Sequence, residues 1–120
     1  MNQKAISIRP FIGSKDFNTS RAFYIDLGFN EVILGPELSL FTWQELGFYL
    51  QKAYVKDWIE NTMVFFQIDG VKQFWEDLIS LNLHEKYHCI KLIPIREESW
   101  GRECMIIDPA GNLLHFGEFH

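Results

Sequence analysis

Apolar positions along the chain recur with two different periods. Ser20, Phe23, Tyr24 and Leu27 stand at i, i+3, i+4 and i+7, which puts them on one face of an amphipathic helix. Val71, Phe74, Trp75 and Leu78 repeat that spacing, each 51 positions further on (71 − 20, 74 − 23, 75 − 24, 78 − 27). A strand-like run precedes each helix, Ala5–Ile12 in the first case and Thr62–Ile68 in the second. Three shorter apolar runs follow each helix. They are Asn30–Leu34, Leu38–Trp43 and Leu46–Gln51, then Cys89–Ile95, Glu103–Ile107 and Leu113–Phe116. The pattern predicts strand–helix–strand–strand–strand twice over. Module 1 spans about 5–55 and module 2 about 61–119, within a single domain 1–120.

The breakers between these runs fit the same scheme. Asp16 and Asn18 are N-cap candidates for the first helix, and Gly28 is a natural left-handed terminator. Asp69-Gly70 opens the second helix, which frays near Asn82. Gly35-Pro36 marks a turn. Asp108-Pro109-Ala110-Gly111-Asn112 marks a stronger one: Pro109 presets φ, Gly111 and Asn112 tolerate positive φ, and Asp108 can accept from the amides that follow. The fold class is therefore α+β: two βαβββ modules whose antiparallel sheets each carry a helix on one face and need a partner on the other. Sheets curled toward each other enclose a cleft. A plain α+β sandwich without a cavity has the same periodicity.

Composition narrows the function classes. With 48% apolar and 16% aromatic residues the chain is not a disordered one. No apolar run approaches the roughly 20 residues of a membrane span, and Met1-Asn2-Gln3-Lys4 opens no secretory signal, so a cytoplasmic location is expected. A formal net charge of −5 argues against nucleic acid as a partner and favours cationic ligands. Cys89 and Cys104 have no paired spacing and read as reduced, half-buried thiols.

Two stretches carry more than periodicity. Trp100-Gly101-Arg102-Glu103, a strand, Asp108-Pro109-Ala110-Gly111-Asn112 and Leu114-His115-Phe116 closely resemble the C-terminal signature of the bleomycin-resistance proteins. Those proteins form a branch of the glyoxalase/bleomycin resistance/extradiol dioxygenase (vicinal oxygen chelate) superfamily. Asp16 to Phe29, with its Phe23-Tyr24 and Leu27-Gly28-Phe29, resembles the first-module signature, and Asn61-Thr62 matches the resistance branch again. The likeness runs from Ser7 to Glu118.

The resemblance implies where a site would lie. Enzymes of the superfamily take metal ligands from the first and last strand of each module, which here fall at Arg9, Tyr49, Met63 and His115. Arg9 cannot ligate, Met63 is a soft thioether, and Tyr49 is a poor donor, so only His115 keeps a competent atom. One imidazole falls short of the usual three protein ligands, and no metal or cofactor is expected. His84 and His88 stand four apart but lack a third donor, and a solvated loop accounts for them. No Gly-x-Ser-x-Gly and no activated cysteine points to nucleophilic catalysis, so no catalytic residue is assigned.

What remains is binding by shape, stacking and charge. Trp100 sits in a loop between Glu97-Glu98-Ser99 and Gly101, and the equivalent Trp of the resistance branch lines the drug crevice. Phe65 shares a strand face with Met63, while Phe41 and Trp43 share a face of a middle strand. Arg102 either pairs with the acidic loop or meets an anionic ligand group, and Arg9 on a cleft-facing strand also asks for an anion. The resemblance thus implies a metal-free protein that sequesters a small molecule, with a bleomycin-type glycopeptide as the named candidate, acting as a homodimer. The alternatives are a divergent metal-dependent lyase or dioxygenase, and a family member with an unrelated ligand.

Overall fold

Asp16 begins the first helix as its chemistry suggests, its carboxylate accepting from the Thr19 amide at 3.1 Å, and helix α1 runs Phe17–Leu27. Gly28 ends it at φ 116°. The computed structural model describes every residue from Met1 to His120. A short strand β1 (Phe11–Gly13) precedes α1, and β2 (Asn30–Gly35), β3 (Leu38–Trp43) and β4 (Leu46–Gln51) follow it. A five-residue helix α2 (Lys56–Glu60) leads to module 2: β5 (Met63–Gln67), α3 (Val71–Ser80), α4 (Leu83–Lys86), β6 (Lys91–Glu97), β7 (Gly101–Ile107) and β8 (Leu113–Phe119).

Both modules build a four-stranded sheet in the same order, β1-β4-β3-β2 and β5-β8-β7-β6. The expected antiparallel pairing holds for three strands of each sheet, but the first strand runs parallel to the last. A helical crossover returns the chain in the same direction, so a parallel edge is the natural outcome.

Three local expectations differ from the structure. The run Ala5–Ile12 pairs only from Phe11 onward; Met1 to Ile8 are exposed, with Ile8 96% accessible. Pro10 lacks an amide for the ladder, which limits pairing there. His84 lies in α4 rather than in a loop, though it and His88 are exposed as expected. The two thiols are free but not half-buried: Cys89 is exposed, whereas Cys104 is sealed in the core and burial pushes it up to about 11.

One core joins the modules through their helix-bearing faces. Tyr24 of α1 meets Phe29, Phe41 and Phe48 while Phe23 packs on Tyr24 and Tyr87, and this cluster continues through Phe66 and Phe116 into module 2. A buried polar knot ties the halves together. Tyr24 donates its hydroxyl to Asp108 Oδ2 at 2.6 Å, and Asn112 Nδ2 donates to both Asp108 Oδ2 and the Gly13 carbonyl. Asp108 Oδ1 accepts from the Ala110, Gly111 and Asn112 amides, so the turn is wound around one carboxylate. Burial pushes the Asp108 carboxyl above its ordinary value, against the pull of these five donors, and raises the Tyr24 hydroxyl well above its own.

The opposite face of each sheet is left open. On module 1, Phe11, Tyr49, Leu40 and Val32 form a cross-strand row, with Phe11 stacked on Tyr49 at 4.7 Å. On module 2 the open face holds Met63, Phe65, His115, Glu103 and Phe119. Large apolar side chains exposed on both sheets mark faces that have not found a partner within the chain.

Candidate functional site

The open face of module 2 carries a cavity of about 540 Å3, within the range of small-molecule sites. It is lined by Met63, Phe65, Trp100, Glu103, His115 and Phe119. Strand alternation explains most of this set. Met63 and Phe65 of β5 pair with Leu113 and His115 of β8, so all four project from one face. Across the hairpin His115 pairs with Met105 and Gly117 with Glu103, which brings the Glu103 side chain to the His115 ring.

Trp100 reaches the cavity from a tight turn. Glu98 and Gly101 exchange backbone hydrogen bonds at 2.8 and 3.3 Å, and the His120 amide donates to the Trp100 carbonyl at 3.0 Å. The indole is half-buried against Phe119 at 5.2 Å and Phe65 at 5.7 Å, and Phe65 lies 6.0 Å from Phe119. Gly117 makes room for these rings, and Gly101 for the backbone of the neighbouring strand. A Cβ on Gly117 would fall 2.6 Å from Phe65 Cζ and 3.2 Å from Trp100 Cη2, and a Cβ on Gly101 would overlap the Glu118 carbonyl.

The polar end of the cavity is a single pair. His115 Nδ1 lies 2.5 Å from Glu103 Oε1, with Glu103 only 8% exposed. Arg102, a neighbour in sequence, is occupied elsewhere, 3.6 Å from Glu97 and 3.5 Å from Glu118. An ion pair therefore takes the guanidinium that sequence reasoning left open to an anionic ligand.

Of the nine residues singled out from the sequence, four line this cavity: Trp100, Phe65, Met63 and His115. Arg9 and Tyr49 lie together elsewhere, 3.4 Å apart through Arg9 Nη1 and the Tyr49 hydroxyl, beside a groove between the N-terminal arm and β4–β5. Arg9 Nε is buried there without a partner. Phe41 and Trp43 face the core instead. Phe41 has no exposed surface, and Trp43 packs on Phe66, Phe74 and Phe116, because their strand face is the one covered by helix. Sequence reasoning did not place Glu103 or Phe119 at the site. Both follow from His115 once the hairpin register is known, since Phe119 is four residues along the same strand face.

The four superfamily metal positions do not form a donor set in this chain. No three of His, Cys, Asp or Glu converge on one point, Met63 is 66% exposed, and the His115 ring is held by Glu103. The residues present do not fit a chelated transition metal.

Neither a protein-family model nor a curated protein matches the sequence. The fold does match solved structures over nearly the whole chain. A bleomycin-binding protein from Streptomyces verticillus, solved with copper(II)-bleomycin, superposes with a TM-score of 0.83 at 19% identity, covering 98% of this chain and 99% of that one. A bleomycin resistance determinant encoded on the transposon Tn5 gives 0.79 at 21% identity, covering 95% and 98%. A lactoylglutathione lyase from Agrobacterium tumefaciens gives 0.69 at 20% identity, covering 97% and 96%. The architecture is that of the glyoxalase/bleomycin-resistance proteins. No helix is long and apolar enough to cross a membrane.

Proposed function

We propose that the protein binds and sequesters a small planar molecule without transforming it. The observation that carries this reading is the ring cluster of Phe65, Trp100 and Phe119, which lines an open cavity of ligand size on an otherwise unpartnered sheet face. Rings at such spacing offer a stacking surface worth about 1–3 kcal/mol for a well-buried contact. Met63, Phe65, Trp100 and His115 are the ligand-contacting residues in this reading. A bleomycin-type glycopeptide is the first ligand to try, because the bleomycin-binding structure shares the fold end to end.

The protein acts as a homodimer in this proposal. The open face of module 1, with Phe11, Tyr49 and Arg9 at its edge, then lies against the module 2 cavity of a second copy. Two crevices result, each finished by residues from both chains. Arg9 and Tyr49 enter the site only in that arrangement. Two apolar faces on one chain, and exposed Ile6 and Ile8 in the N-terminal arm, supply the surface such a dimer would cover.

Isothermal titration with copper-loaded bleomycin at micromolar protein tests the reading directly. One binding event per chain, weakened by Trp100→Ala, is expected. No heat with bleomycin or with a panel of planar antibiotics would remove the proposal. About one transition metal per chain retained through dialysis would favour the lyase or dioxygenase alternative.

A further inference from the structure

We propose that the Glu103–His115 pair is the recognition element of the cavity and selects a planar cation with an N–H donor on its edge. This rests on the crevice reading above and specifies the chemistry of its ligand. The carboxylate of Glu103 can only accept, so the proton between the two groups sits on His115 Nδ1. In the neutral ring Nε2 then carries a lone pair. It has no hydrogen-bond partner in the protein and is not among the sealed polar atoms, so a cavity ligand can reach it. The other four lining residues are apolar.

Charge decides which ligand group fits. Glu103 is nearly buried, and a carboxylate in that position favours positive charge nearby. Within one chain the lining of the cavity offers an anionic group Glu103 and no guanidinium, Arg102 standing 3.6 Å from Glu97 and 3.5 Å from Glu118. A ligand N–H donated to Nε2 extends the hydrogen-bonded chain through the imidazole to Glu103, and a cationic ligand completes it electrostatically. The aromatic cluster takes the face of the planar group while the pair takes its edge. Glu103 is the positioning residue, since it acts through the ring, and His115 is the contact.

Three related probes separate these roles: proflavine, a planar diamino cation; acridine, the same ring system without amino groups; and anthracene-9-carboxylate, a planar anion. The wild-type protein should bind proflavine at least about 10-fold tighter than acridine, the scale of one hydrogen bond to a charged group, and the anion most weakly. His115→Phe and Glu103→Gln should each reduce that preference to within about threefold while acridine affinity stays nearly unchanged. Long-range 1H–15N correlation spectra of the unmutated protein should show the His115 proton on Nδ1, and Nε2 should shift with proflavine but not with acridine. This measurement needs no variant to fold.

The crevice and the pair fail differently. If no probe binds, or Trp100→Ala binds all of them as the wild type does, the crevice reading is wrong and the pair loses its recognition role with it. If binding depends on Trp100 but proflavine is not preferred, the pair is structural only and the crevice stands. The pair is likewise structural only if the preference survives His115→Phe or Nε2 does not respond.

Discussion

Replacing Trp100 by Ala separates a binding role from a packing role, because the structure predicts different magnitudes for the two. The indole is half-buried, lies outside the core cluster, and meets only Phe65 and Phe119 among the aromatic rings. Two such ring pairs are worth about 0.5–1.5 kcal/mol each, and freed neighbours recover part of that. The expected stability loss is therefore about 1–2 kcal/mol, or roughly 3–10 °C in Tm for a chain of this size. Ligand affinity should fall by about 1–3 kcal/mol, some 5- to 150-fold in Kd. Trp43 is the internal control, because it is partly buried against the core and packs on Phe66, Phe74 and Phe116. Trp43→Ala should cost about 3–5 kcal/mol of stability with little direct effect on affinity at a temperature where it is folded. Chemical denaturation and titration calorimetry on the two variants give all four numbers. If Trp100→Ala loses as much stability as Trp43→Ala and binds ligand normally, the assignment of Trp100 to the site is refuted.

Tyr24→Phe removes one buried hydrogen bond to Asp108 and should cost about 1.5–3 kcal/mol by urea denaturation; an unchanged midpoint would mean that the knot does not hold the modules together. Gly117→Ala should displace the Phe65 and Trp100 rings and weaken ligand binding more than it lowers Tm, read by titration and thermal melting on one sample. The Arg21 guanidinium beside Glu31 holds its carboxyl below the ordinary 4.5, and Lys86 and Tyr87 hold Asp26 below 3.8. Both contributions are present above those values and fade as the pH falls through the lower folded-state ones. Asp108 acts with the opposite sign, its burial making ionisation above 3.8 costly to the fold. Glu31→Gln should therefore flatten the loss of stability as the pH falls below about 4.5, and an unchanged slope would contradict the Arg21 contact. Light scattering at micromolar concentration should return twice the 14.2 kDa chain mass, and a monomer would leave the open faces unexplained.

Legibility in the sequence followed the range of the forces involved. The two helices and all three later strands of each module were visible because amphipathic spacing and turn chemistry act over a few residues, as at Asp16, Gly28 and Asp108–Asn112. The first strand was overextended because Ala5–Pro10 alternates like a strand but has no ladder partner until Phe11 meets Tyr49. Helix α2 went unseen because five residues are too short to show a period. At the cavity, Trp100, Met63 and His115 were placed by the superfamily resemblance, and Phe65 by strand alternation from Met63. Glu103 and Phe119 required the register across a hairpin, which only pairing reveals. Phe41 and Trp43 failed for the converse reason: a shared strand face does not say which side a helix will cover.

The fold alone leaves the chemistry open, since structures of a bleomycin-binding protein and of a lactoylglutathione lyase both superpose on it along nearly the whole chain. What the side chains add is a particular pairing at one strand position. His115 stands where the superfamily resemblance places a metal ligand, yet its ring is turned to Glu103 across the hairpin instead of joining a donor set. That pairing depends on the turn wound around Asp108, which fixes Met105 opposite His115 and Glu103 opposite Gly117. Gly117 in turn leaves the space over β8 that the Phe65 and Trp100 rings occupy. One buried carboxylate thus sets a register, the register sets a His–Glu pair beside an aromatic wall, and that wall and pair are the surface on which the proposed binding of a planar molecule rests.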